Sequence, residues 1–168
     1  YGAIDFYRAC KAQGIHPVIG CEVYVARRTR LDKTYELDAE SRHLVLLCEN
    51  ETGYRNLSYL VSQAFVDGFY IKPRIDLDLL RRHSEGLIGL SACLAGEIPR
   101  RLVNGDYDGA KEYALTMQDI LGEGNFYLEL QDHGIPQRQR RGDRAHRQDG
   151  REVEGADHPH DPVGHVPR

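Results

Sequence analysis

Tryptophan is absent from the 168-residue chain and methionine occurs once. No apolar run approaches the roughly 18 residues that a membrane-spanning helix needs, so a membrane span and a membrane partner are excluded. No positively charged, then apolar, leader precedes Tyr1, and a secretory signal is not read. The sequence lacks G-x-x-x-x-G-K, G-x-G-x-x-G and G-x-S-x-G, which excludes a phosphate-cradling P-loop, a dinucleotide fingerprint and a hydrolase nucleophile elbow. The four cysteines, Cys10, Cys21, Cys48 and Cys93, form no C-x-x-C pair, so a zinc ribbon and a thioredoxin motif are also excluded. Reduced thiols in a cytoplasmic protein are the expectation. With 22 basic against 26 acidic residues the net charge is −4, which argues against a nucleic-acid-coating protein while allowing a local basic groove.

The deficits are uneven. Residues 137–168 contain no Leu, Ile, Phe, Tyr, Met, Cys or Lys, yet hold seven arginines and four of the eight histidines. The expected organisation is a foldable unit over residues 1–136 and an Arg/His-rich, disordered tail over 137–168. Shifting the reading frame by one base from Arg140 permits Ile or Met at Asp143, His146 and Asp149, and forces basic residues between later apolar positions. That pattern is an amphipathic helix entering a strand, so a frameshift near residues 137–140 is the expected origin of the tail.

The first 136 residues alternate between two periodicities. Tyr1–Gln13 has helical spacing closed by Gly14, and it opens without an N-cap, as an interior start would. PVIGCEVYV (17–25) reads as a strand, 26–42 as a loop, and HLVLLC (43–48) as a fully buried strand. A helix opens at Asn50-Glu51-Thr52 with Leu57, Leu60, Val61 and Ala64 on one face, and Asp67-Gly68 ends it. Pro73–Asp76 reads as a turn, and Leu77, Leu79 and Leu80 as a short helix. GLIGLSA (86–92) reads as a strand, followed by a short helical segment after Pro99. A helix over 107–121 starts at Asp106, and FYLEL (126–130) reads as the last strand. Mostly alternating strands and helices predict an α/β layer or barrel with a mainly parallel sheet.

In such folds the polar residues near strand ends line the functional face. They are Glu22, His43, Ser91, Cys93, Glu129, Asp132 and His133. A carboxylate, an imidazole and a thiol on separate strands make a mixed donor set suited to a transition metal, with zinc the best match. Each has an ordinary alternative. Glu22 could face solvent on an alternating strand, His43 begins its strand instead of ending it, Cys93 could be a core thiol, and Asp132 and His133 could be a solvated turn. The basic cluster Arg27, Arg28 and Arg30 could touch a phosphate backbone, but a solvated loop is the better reading.

Four long blocks, YGAIDFYRACKAQGIHPVIGCEVYVA, HLVLLCENETGYRNLSYLVSQAFVDGFYIKPRID, EGLIGLSACLAGEIPRRLVNGDYDGAKEYA and GEGNFYLELQDHGIP, resemble in order and spacing one family. It is the N-terminal polymerase-and-histidinol-phosphatase (PHP) domain of the bacterial DNA polymerase III alpha subunit. The resemblance implies an α/β fold, a distorted (β/α)7 PHP-type barrel, here incomplete. It also implies a metal cluster of zinc, or manganese, at the strand ends. Glu22 in GCEVYV, His43 in HLVLL and Cys93 in SACLAG stand at ligand positions of that family. The family's H-x-H and D-H-G motifs would precede this sequence, and its N-D-x-H motif would fall where the Arg-rich tail stands.

For the parent protein the resemblance implies a replicative DNA-directed DNA polymerase, acting on primer-template and deoxynucleotides through magnesium-binding carboxylates of a palm domain absent here. Further implied partners are a proofreading exonuclease subunit and a sliding clamp. The PHP domain itself would support 3′–5′ exonuclease chemistry or dock the proofreading subunit, and this fragment alone is expected to be inactive. The alternatives are a free-standing PHP phosphoesterase of the histidinol-phosphatase type and a scaffold whose metal site has decayed.

Overall fold

The computed structural model describes residues 2–131 of the chain. The tail expected over 137–168, and the candidates Asp132 and His133, lie outside the described residues. Twelve elements follow in the order α1 (Ala3–Ala12), β1 (Gly20–Ala26), α2 (Tyr35–Asp38), β2 (Ser41–Cys48), α3 (Glu51–Val66), β3 (Phe69–Tyr70), β4 (Lys72–Ile75), α4 (Leu77–Arg82), β5 (Leu87–Leu90), α5 (Glu97–Val103), α6 (Tyr107–Leu121) and β6 (Phe126–Tyr127).

The strands form one six-stranded sheet in the order β3-β4-β1-β2-β5-β6. The expected mainly parallel sheet is corrected to a mixed one. The β1–β4 and β5–β6 pairs are parallel, but β2 runs antiparallel to both β1 and β5, and β3 antiparallel to β4. The cause is local. The segment between β1 and β2 carries only the four-residue helix α2, too short to carry the chain back for a parallel strand. Residues 26–42, read as a loop, thus contain α2, and Pro73–Ile75, read as part of a turn, lies in β4. Proline is tolerated there because β4 has only short pairings on either side.

HLVLLC is not buried on both sides. In the β1–β2 ladder Val23 faces Leu44 and Cys21 faces Leu46, so Val23, Val25, Leu44 and Leu46 project from one face and are buried. That face packs against Leu57, Leu60 and Ala64 of α3, Leu79 and Leu80 of α4, and Met117, Ile120 and Leu121 of α6. Each of the buried Val, Leu, Ile and Met side chains stabilises the fold by about 1.5–3 kcal/mol relative to leaving it exposed. The opposite face carries Glu22, Tyr24, His43, Val45 and Leu47, exposed or half-buried.

Helices α3 and α6 start where the sequence says. The Asn50 side chain accepts from Gly53 N at 3.0 Å, and Asp106 accepts from Gly109 N at 3.0 Å. Both are N-caps that satisfy an otherwise unpaired first-turn donor. Gly53 is required by proximity as well, because an added Cβ would overlap the Gly86 carbonyl oxygen. Helix α1 forms as expected and ends before Gly14 at φ 69°. Its apolar residues Ile4, Phe6 and Tyr7 nevertheless remain exposed.

Candidate metal centre

β1 supplies Glu22 and β2 supplies His43. Tyr24 is the direct partner of His43 in the ladder, and Glu22 precedes Tyr24 by two residues, so all three side chains share the open face. The His43 Nδ1 atom lies 3.0 Å from Glu22 Oε1. The Tyr24 ring meets the His43 ring edge-on, centroids 5.2 Å apart at an interplanar angle of 78°, which limits rotation of the imidazole.

The third group arrives from the loop after β5. Ala92 is buried at φ 61°, a left-handed conformation that an L-residue adopts at a cost of roughly 1–2 kcal/mol. Such strain persists only where the surroundings impose it, and here several bonds do so. The Ser91 N–H donates to Tyr127 O at 3.0 Å, while its buried hydroxyl accepts from Glu129 N at 2.9 Å. Farther along, His43 N donates to Ala95 O at 3.1 Å and Gly96 N to Cys93 O at 2.8 Å. Gly96 itself is fixed by space, since an added Cβ would overlap Ser91 O. The loop thereby sets Cys93 Sγ 3.6 Å from His43 Nδ1.

One ligand atom from each of Glu22, His43 and Cys93 lies within 4.8 Å of the others. The fit to a metal can be tested on these distances. Tetrahedral zinc with ordinary bond lengths separates a sulfur from a nitrogen donor by about 3.6 Å and an oxygen from a nitrogen donor by about 3.4 Å. The observed 3.6 Å matches the first, and the 3.0 Å pair need open only slightly. The donor set therefore fits a divalent transition metal, and three protein donors would leave a coordination position open. The half-buried imidazole and the 45% exposed Glu22 side chain leave the centre accessible from solvent.

The remaining sequence candidates separate from this group. Ser91 is a positioning residue for the Cys93 loop. The Glu129 carboxylate accepts from Gln131 and is not a member of the cluster. Arg28 and Arg30, read as part of a solvated loop, are instead tied down. Arg28 Nε donates to Asp38 Oδ1 at 2.9 Å and Arg30 Nη1 to Asp76 Oδ2 at 3.1 Å. They border a cleft of about 520 Å³ that also includes Arg42, Glu97 and Tyr113. Sequence reading missed Tyr24, Ala92 and Gly96. Tyr24 was within reach, because period two from Glu22 places it on the same face.

DNA polymerase III subunit alpha of Treponema pallidum is 46% identical over 136 residues, which are 80% of this chain and 12% of that protein. The Chlamydia trachomatis protein of the same name is 48% identical over 134 residues, 79% of this chain and 11% of that one. That of Thermus aquaticus is 42% identical over 142 residues, 83% and 12%. The chain thus spans about 12% of the length of these relatives. No helix among the described residues is long and apolar enough to cross a membrane. The family model for the PHP domain matches residues 1–133, and with that match running through all three residues of the cluster the chain belongs to the PHP domain family.

Proposed function

We propose that this chain is part of the PHP domain of a replicative DNA-directed DNA polymerase, and that Glu22, His43 and Cys93 hold a divalent metal, zinc in preference to manganese, at a phosphoester-processing site. The convergence of a carboxylate, an imidazole and a thiol within 4.8 Å on the open sheet face is the observation that carries the metal site. The names of relatives 42–48% identical carry the polymerase assignment, and they favour it over a free-standing histidinol-phosphatase-like enzyme. In this reading the partial PHP domain, an arc of a distorted (β/α)7 barrel, occupies residues 1–136, and the Arg/His-rich sequence 137–168 does not belong to it.

When bound, the metal supplies a Lewis acid and a water acidified enough to act as nucleophile near neutral pH. The chain's own contribution is placement. Glu22 and Cys93 supply anionic donors, His43 a neutral one, and Tyr24 holds the imidazole plane. Phosphodiester hydrolysis from a 3′ end is the reaction this arrangement suits, and docking of a proofreading exonuclease subunit is its non-catalytic counterpart. Primer extension would require magnesium carboxylates elsewhere in the parent, acting on primer-template and deoxynucleotides with a sliding clamp, in the cytoplasm. The isolated 168-residue chain is proposed to be inactive, since the three ligands found among the described residues are too few for a multi-metal centre.

The test is metal analysis of the complete polypeptide together with 3′–5′ hydrolysis of a labelled oligonucleotide. Metal and hydrolysis both lost in Cys93→Ser, with primer extension retained, support the proposal. A metal content unaffected by Cys93→Ser and Glu22→Gln would overturn it. A reading frame of only some 270 codons would reverse the choice between polymerase and free-standing hydrolase.

A further inference from the structure

Lys72 stands on the face of the sheet that bears Glu22 and His43. Tyr24 is the ladder partner of Arg74 in the β1–β4 pair, and Lys72 precedes Arg74 by two residues. The ammonium is held at two points. Lys72 Nζ lies 4.7 Å from the centroid of the Tyr24 ring and donates to Tyr24 Oη at 3.2 Å. Since the same ring packs edge-on against His43, Lys72, Tyr24 and His43 form one continuous row leading to the metal-ligand cluster.

The way the chain delivers Lys72 is costly. Tyr70 pairs with Lys72 across the single residue Ile71, whose φ is 61°. A β-branched residue in the left-handed region is a genuine outlier, and such strain persists where the surrounding structure, here the tight β3–β4 turn, over-determines it. Among the described residues no carboxylate is paired with the Lys72 ammonium, so its charge is available to a ligand. Tyr24 Oη accepts from Lys72, which leaves the phenolic proton free to be donated elsewhere. Together they offer N–H and O–H donors to one anion, a combination suited to a phosphate oxygen.

We propose that Lys72 and Tyr24 are the phosphate-positioning residues of the Glu22–His43–Cys93 centre, taking a non-bridging oxygen of a phosphate ester presented to the metal. The inference rests on the metal-dependent phosphoester reading above and adds the residues that orient the substrate.

Inorganic phosphate, the smallest ligand of this class, is the probe. Its affinity for the zinc-loaded complete polypeptide is measured by calorimetry at several ionic strengths, with metal content recorded for each variant. Lys72→Met should weaken phosphate binding about tenfold and flatten its salt dependence, as loss of a charge-assisted hydrogen bond does, while metal content stays unchanged. Lys72→Arg should recover most of that loss, and Tyr24→Phe should weaken binding by a smaller factor, about threefold. Displacement of bound phosphate by a single-stranded oligodeoxynucleotide, or by free phosphate alone, tells a strand phosphodiester from a small ion, and either result supports the proposal if it depends on Lys72.

A Lys72→Met protein that keeps its metal and binds phosphate as the parent does would overturn the proposal and leave the metal site standing. Loss of metal in Lys72→Met would overturn it too, marking the lysine as support for the ligands. Failure of the unsubstituted protein to take up metal would remove the metal-site reading and this proposal together.

Discussion

His43 and Cys93 are 50 residues apart in sequence, yet the imidazole Nδ1 and the thiol Sγ stand 3.6 Å from each other. One comes from the first half of an antiparallel strand and the other from a strained loop beyond β5. Neither position has a local reason to meet the other. Their meeting is what makes a three-donor cluster out of isolated polar residues.

Removing a donor should therefore remove the metal. Loss of a mere hydrogen-bonding partner to a ligand already weakens metal affinity by about 10–100-fold. His43→Ala and Cys93→Ser are expected to weaken zinc binding by about a hundredfold or more, as read by competition with a chromophoric chelator. Bound metal should also protect Cys93 from alkylation. Cys21 and Cys48 should react slowly with or without it, because burial pushes both thiols above the ordinary range.

The Arg28–Asp38 pair should give the fold an acid limit. Hydrogen bonds from the Arg28 guanidinium, aided by the Thr34 N–H, hold the wholly buried Asp38 carboxyl down to about 2. A carboxyl whose folded value lies below its unfolded value of about 3.9 contributes stability above that value and loses it as the pH falls through the folded one. Unfolding free energy should thus drop between about pH 4 and pH 2. Asp38→Asn should flatten that part of the profile and be less stable at neutral pH, both measured by urea denaturation across pH.

Arg74, 1% exposed, donates to the carbonyls of Gly68, Arg30, Asp32 and Asp38, tying the long connection after β1 to β4. Arg74→Met leaves four buried or half-buried carbonyl groups short of a donor. The expected cost is about 3 kcal/mol, seen as a lower urea midpoint. Arg74→Lys should recover little of it, because one ammonium cannot span the same acceptors.

Gly53→Ala should destabilise in spite of alanine's better helix propensity. The gain in propensity is at most about 1 kcal/mol, whereas the new methyl would overlap the backbone carbonyl of Gly86 and push α3 off β5. A net loss of about 2 kcal/mol is expected in thermal unfolding, and no change at all would show that the two segments move apart freely.

Much of the fold was legible in the chain because its signals are local. Asn50 and Asp106 mark helix starts by side-chain hydrogen bonds to residues three positions on, and the apolar spacing of α3 and α6 selects the faces they bury. Strand direction is another matter. HLVLLC looks the same whether its neighbours run with or against it, so β2 passed for a fully buried strand in a mainly parallel sheet.

That single difference also bears on His43, which is nevertheless one of the three clustered donors. The rule that functional residues gather at strand C-termini counted against a histidine at the start of its strand. Because β2 is antiparallel to β1, its beginning lies beside the end of β1, and Ser41 pairs with Ala26. Glu22 is itself third in β1, and His43 third in β2, so the strand-end rule located neither ligand.

By itself the sequence determined the donor types, the starts of α3 and α6 and the family, since these depend on residue chemistry within a turn or two and on blocks of residues read in order. The family resemblance places Glu22, His43 and Cys93 at ligand positions, but only the tertiary structure brings their donor atoms together, leaves Glu129 outside the cluster and sets Lys72 and Tyr24 beside it. Strand pairing and register are set by contacts between residues far apart in the chain, and a one-residue slip would send each of these side chains to the other face.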